Sequence, residues 1–102
     1  MNKLVRDKIP DIIAAQGKTC KTRILGHEEY IAKLEEKLGE ELSEYLESKE
    51  PEELADLLEV MDALIVATGH TKEEILAIQA QKRAARGGFE KKILLEISRG
   101  DS

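Results

Sequence analysis

The chain contains very few aromatic residues: one phenylalanine, two tyrosines and no tryptophan in 102 residues. Its apolar residues, 41% of the total, are therefore mostly leucine, isoleucine, alanine and valine, which favours packed helices. Cys20 is the single cysteine, which excludes an intramolecular disulfide and a cysteine-rich zinc site. No apolar run approaches the ~18 residues of a membrane span, and the first residues lack the apolar core of a signal peptide. We expect one domain over residues 1–102, in the reducing cytoplasm and without a membrane partner.

Acidic residues outnumber basic ones by 21 to 16, which gives a formal net charge of −5. Domains that bind nucleic-acid polymers are usually basic, so we expect no such partner here. A small nucleotide that carries its own metal ion is still compatible with this charge.

The spacing of apolar residues predicts four helices, over about 8–16, 28–48, 51–68 and 71–86. Pro10 and Pro51 suit first helical turns, and a glycine follows three of the predicted ends. Residues 18–25 and 89–97 have little helical period and leave room for a minor two-stranded β element. The expected fold class is all-α, a four-helix bundle with at most that small β addition.

Two acidic clusters lie on the second and third predicted helices. Residues three apart share a helix face, so Glu41 and Glu44 form one ladder of carboxylates. Glu53, Asp56 and Glu59 form a second ladder. If the loop centres near residue 50, positions whose numbers sum to about 100 lie opposite each other, which pairs Glu44 with Asp56. The same rule pairs Glu41 with Glu59.

Carboxylates held this close repel each other unless a cation lies between them, and hard oxygen ligands suit Mg²⁺ or Mn²⁺. A single Glu-x-x-Glu pair is usually a solvated helix face, but two clusters in register across a short loop favour a metal site. The third helix is also apolar nearly all round beyond Asp56, and yet it carries Glu59 and Asp62. Buried acids of this kind must be paired, protonated or bound to metal.

These acidic strings resemble the metal-binding signature of the all-α, MazG-like nucleotide pyrophosphohydrolases, a group that includes phosphoribosyl-ATP pyrophosphohydrolases and dimeric dUTPases. The resemblance is carried by Glu-Glu-x-x-Glu at 40–44 and Glu-x-x-Asp at 53–56. Residues 3–10 and 82–89 look like the flanking segments of a branch of predicted house-cleaning pyrophosphatases. Only eight residues separate Glu44 from Glu53, a shorter gap than is usual in this group. An alternative second half, Asp56, Glu59 and Asp62, therefore stays open, although the first assignment matches better as a string.

The resemblance implies hydrolysis of the α–β phosphoanhydride of a nucleoside triphosphate, giving a monophosphate and pyrophosphate. It implies Mg²⁺, or Mn²⁺, bound by carboxylates, with Glu41 or Glu44 as the general base. The expected metal ligands are Glu41, Glu44, Glu53, Asp56 and Glu59. A triphosphate also needs cationic partners, and the candidates for substrate binding are Lys3, Arg6, Lys8, Lys82, Arg83 and Arg86. A homodimer or homotetramer is expected, because sites in this superfamily are commonly completed by a neighbouring subunit.

Two other functions fit the same sequence. The chain could be a non-catalytic helical module that serves regulation or nucleotide sensing, although a pure scaffold has no need for four acids in one place. It could also be a phosphoribosyl-ATP pyrophosphohydrolase, which product analysis with that substrate would distinguish.

Overall fold

The computed structural model describes residues 2–96, and within them the chain forms α1 (Ile9–Ala15), α2 (His27–Ser48), α3 (Pro51–Ala67) and α4 (Lys72–Arg86). The all-α prediction is confirmed, and each predicted helix lies within two residues of its observed bounds. None of residues 2–96 forms a strand, so the small β element is absent from the described part. Ile97, which ended the second predicted strand, lies outside the described residues. No helix in this part of the chain is long and apolar enough to span a membrane.

The helix ends explain why sequence signals located them well. Pro10 and Pro51 lie in the first turns of α1 and α3, where a missing N–H costs nothing. Gly69 follows α3 with a φ of 85°, and the next N–H, that of His70, donates to the Ile65 carbonyl. This Schellman arrangement needs a left-handed residue, which glycine adopts without strain.

The described chain forms two units, one up to Lys72 and the other from Glu73 onward. In the first unit α2 and α3 pack as an antiparallel pair, joined by Lys49 and Glu50. Leu34 and Val60 are the buried apolar residues of this pair. The second unit contains α4 from Glu73 onward and the segment after it, and Arg83 of α4 forms an ion pair with Glu90 of that segment.

Two irregular segments of the first unit lie beside α2. Residues 18–25 are tied to its first turn by Arg23, whose guanidinium donates to both carboxylate oxygens of Glu29 at 3.0 and 2.7 Å. Residues 2–8, which we call the N-terminal strap, precede α1, and residues 4–7 of the strap line a cleft together with Leu34 and Val60. The strap thereby brings the first residues of the chain to the α2–α3 pair.

Candidate metal centre

Three carboxylates meet where α2 packs on α3. Glu41 of α2 and Glu53 and Asp56 of α3 each offer an oxygen within 4.8 Å of the others. Glu53 and the buried Val60 are seven residues apart and so lie within about 20° of each other around α3. The packing that buries Val60 therefore also turns Glu53 toward α2. We call Glu41, Glu53 and Asp56 the carboxylate triad.

Two oxygens of the triad find no hydrogen-bond partner within residues 2–96. Glu41 is only 7% exposed, and its Oε2 is buried with no hydrogen-bond partner among the described residues. Oε2 of Glu53 is in the same situation. A buried carboxylate oxygen without a donor is strongly unfavourable, and coordination to a metal ion is one of the few ways to satisfy it.

The environment of the triad disfavours negative charge. Burial, followed by repulsion from the Glu44 carboxylate, raises the pKa of Glu41 above its usual value. The same causes, in the same order, raise the pKa of Glu53, and Asp56 adds to the repulsion in both cases. Glu44 itself is exposed, and it stands at the edge of the triad rather than within it.

Two cationic side chains contact these acids. The Nζ of Lys37 lies 3.6 Å from Oε1 of Glu41, one helical turn away on α2. Arg6 of the strap donates from Nη2 to Oδ1 of Asp56 at 2.7 Å, and its Nη1 lies 3.7 Å from Oε1 of Glu59. Lys37 was not predicted from the sequence, although its i,i+4 spacing from Glu41 is a signal that could have identified it.

A cleft of about 600 Å³ opens beside the triad. Its walls combine charged groups with an apolar floor, and both Arg6 and Lys37 border it. The cleft is lined by Leu4, Val5, Arg6, Asp7, Ile9, Tyr30, Leu34, Lys37, Glu41, Asp56, Glu59, Val60 and Ala63. A ligand in this space would contact Glu41 and Asp56 of the triad together with the strap.

The expected pairing by residue number is displaced in the structure. Pairing positions whose numbers sum to about 100 places Glu59 opposite Glu41. In the structure Glu41 groups instead with Glu53 and Asp56, which are nearer the loop, and Glu59 lies outside the triad. Pairing by residue number depends on the position of a residue along the helix axis and ignores the direction in which its side chain points around that axis. Glu59 precedes the buried Val60 by one residue, or about 100°, so its side chain is 63% exposed and faces Arg6.

Asp62, from the alternative second half of the signature, also lies apart from the triad. Its carboxylate is 3.2 Å from the Nζ of Lys72. An ion pair therefore accounts for this acid.

The basic residues expected to bind substrate are distributed over both units. In the strap, Arg6 reaches the acids, whereas Lys3 lies 3.9 Å from Glu40. Lys8 is exposed at the N-terminal end of α1. The other three candidates, Lys82, Arg83 and Arg86, are on α4 in the second unit.

Comparison with known proteins finds a likeness over part of the chain. A protein of Mycolicibacterium smegmatis, named only as uncharacterized, is 50% identical over 44 residues. That stretch is 43% of this chain and 45% of the relative, so the likeness spans less than half of either protein. No family model and no solved structure matches the chain.

Proposed function

We propose that this chain is a Mg²⁺-dependent nucleoside triphosphate pyrophosphohydrolase of the MazG-like type. It would cleave the α–β phosphoanhydride to give a monophosphate and pyrophosphate. By the resemblance of its flanking segments, its role would be the clearance of noncanonical nucleotides in the cytoplasm. The observation that carries the proposal is the carboxylate triad with its two buried, unpartnered oxygens.

The triad fits a hard divalent cation. It supplies only carboxylate oxygens, the ligand type that Mg²⁺ and Mn²⁺ prefer, and its carboxylates come from two packed helices that hold them in place. Glu41, Glu53 and Asp56 would hold the ion, with Glu44 and Glu59 at the edge of the site. When bound, the ion supplies charge neutralisation of the triphosphate and a water of lowered pKa.

The chain's own residues have separate tasks in this proposal. Glu41 is buried and committed to the triad, which leaves the exposed Glu44 as the better candidate to take a proton from the attacking water. Arg6 borders the cleft, and its guanidinium matches a phosphate with two parallel hydrogen bonds. The apolar floor around Leu34 and Val60 would keep bulk water from the triad.

The first test is pyrophosphate release from a broad panel of triphosphates with Mg²⁺. We expect activity in the wild type and a fall of about 10²- to 10⁴-fold in kcat for Glu44→Gln, the range for a general base. Glu47→Gln is the matched control, because Glu47 is an exposed glutamate on the same helix. A folded wild type that releases no pyrophosphate from any triphosphate would overturn the proposal in favour of a non-catalytic module.

Self-association completes the proposal. Five large apolar residues of the α2–α3 pair are each 47% to 61% exposed. This outer apolar face consists of Leu42, Leu46, Leu54, Leu58 and Met61. It is typical of a surface covered by another molecule, and we propose a homodimer or homotetramer.

A further inference from the structure

The N-terminal strap delivers a cation to the triad from a distant part of the sequence. Arg6 and Asp56 are 50 residues apart in the chain, yet Nη2 and Oδ1 lie 2.7 Å apart. The same guanidinium lies 3.7 Å from the carboxylate of Glu59. Arg6 therefore neutralises the side of the acidic cluster that faces the cleft.

Arg6 does not satisfy the whole cluster. The unpartnered oxygens belong to Glu41 and Glu53, whereas Arg6 contacts Asp56 and Glu59. Asp56 therefore has two roles: it is a member of the triad, and it is the ion-pair partner of Arg6. A divalent cation at the triad would draw Asp56 toward itself and repel the guanidinium only a few ångströms away.

We propose that the Arg6 guanidinium and a divalent cation compete for Asp56, so that cation binding releases the N-terminal strap. The proposal rests on the metal site of the proposed function and adds its regulation. Ile9, at the start of α1, also lines the cleft, so the released Arg6 stays tethered within reach of it and becomes available to an anionic phosphate. Cation and nucleotide would then bind in order, with the cation first.

The strap can move without dismantling the helix pair. It has no regular secondary structure before α1 begins at Ile9. The Arg6 and Asp56 side chains are 53% and 38% exposed, so their ion pair is a surface contact and not part of the core. Exposed pairs of this kind contribute little to stability, and a cation can replace them readily.

The competition is tested by calorimetric titration of Mn²⁺ into the wild type, Arg6→Gln and Lys3→Gln. Removing Arg6 should tighten Mn²⁺ binding by about three- to fivefold, because the competing guanidinium is lost. Lys3→Gln removes the same charge from the same strap, but Lys3 pairs with Glu40, so we expect its affinity to stay within about twofold of the wild type. Equal affinities of the two variants would overturn the inference and leave the metal site intact.

Release of the strap has its own readout in tryptic cleavage after Arg6, followed by mass spectrometry. Trypsin must bind the Arg6 side chain, which is possible only when the guanidinium has left Asp56. We expect Mn²⁺ to speed this cleavage severalfold relative to cleavage after Lys21, and Asp56→Asn to speed it without Mn²⁺. Cleavage after Arg6 that Mn²⁺ slows or leaves unchanged would contradict the release.

The two proposals fail in different ways. Absence of Mn²⁺ binding in all three proteins would overturn the metal site, and the competition would fall with it. Binding of Mn²⁺ to Arg6→Gln but not to the wild type would support the competition in its strongest form.

Discussion

Glu41 is the buried charged residue of the described chain. It is a buried acid with an unpartnered oxygen, and its pKa is raised first by burial and then by Glu44. An amide of the same shape would remove the charge and could donate to a neighbouring carboxylate. We expect Glu41→Gln to raise the free energy of unfolding at pH 7.5, without divalent cation, by about 1–3 kcal/mol.

Urea unfolding measures this change, with Glu47→Gln as the exposed glutamate control. Excess Mg²⁺ should stabilise the wild type, by about 2.7 kcal/mol at one hundred times its Kd. The same addition should leave Glu41→Gln nearly unchanged. A variant that is less stable than the wild type without cation would show that the Glu41 carboxylate is well satisfied.

The raised pKa values of Glu41 and Glu53 also determine whether the contribution of these groups to the free energy of unfolding rises or falls with pH. Below their ordinary value of 4.5 both groups are protonated in either state, and their contribution to stability is fully present. Between 4.5 and their raised pKa values the folded state holds more protons than the unfolded state, so this contribution is lost as the pH rises.

The groups that face Glu41 are Lys37 on its own helix, Glu44 beside it, and Glu53 and Asp56 across from it. We expect the difference in unfolding free energy between Glu41→Gln and wild type to grow from pH 4 to pH 7.5. Urea unfolding of both proteins at a series of pH values, with a chelator present, measures it. A difference that is constant over this range would argue against a raised pKa.

At the scale of elements, the α2–α3 connection determines which acids meet. Lys49 follows α2 in the left-handed region, with a φ of 60°, and its N–H donates to the Tyr45 carbonyl at 2.7 Å. Its ammonium also lies 5.7 Å from the centre of the Tyr45 ring. A residue with a Cβ is strained in this conformation, whereas glycine is not.

Two variants at this position separate the backbone from the side chain. Lys49→Gly and Lys49→Ala both lose the ammonium over the ring and differ only in the Cβ. We expect Lys49→Gly to be the more stable of the two by about 1 kcal/mol, measured by thermal unfolding. Equal stabilities would mean that the connection relaxes out of the left-handed conformation.

Elements were the most predictable level of this protein, for local reasons. Pro51 and the left-handed Gly69 act within one turn of the helix ends that they mark, so the bounds of α3 were readable from sequence. The proposed strands depended on pairing between distant segments. Residues 18–25 instead follow a side-chain contact between Arg23 and Glu29, which has no periodic signature.

The site was predictable in composition but not in arrangement. The acidic strings indicated which carboxylates could meet, and Glu41, Glu53 and Asp56 do meet. Their grouping depends on rotation about the helix axes, which the packing of Val60 determines. The contact of Arg6 with Asp56 joins parts of the chain 50 residues apart and has no local signal at all.

At the scale of the whole molecule, more large apolar residues of the described chain are exposed than buried. Leu34 and Val60 are the buried apolar residues of the described chain, and the outer apolar face remains exposed. We expect sedimentation equilibrium to give a dimer or tetramer at micromolar concentration. Leu58→Glu, at the most exposed position of that face, should shift the protein toward monomer.

The matched control is Glu47→Lys, which changes a charge on an exposed polar position of α2. It should leave the oligomeric state unchanged. A wild type that sediments as a monomer would remove self-association from the proposal without affecting the triad.

The scarcity of aromatic residues gives this protein an optical probe in a useful place. Tyr30 borders the cleft that the triad and Arg6 share, while Tyr45 lies under Lys49 near the helix connection. With no tryptophan in the chain, no indole takes up the excitation energy of the tyrosines, and their emission is visible directly. A Tyr45→Phe variant would leave Tyr30 as the only tyrosine, so ligand entry into the cleft could be followed in real time by its emission without a label.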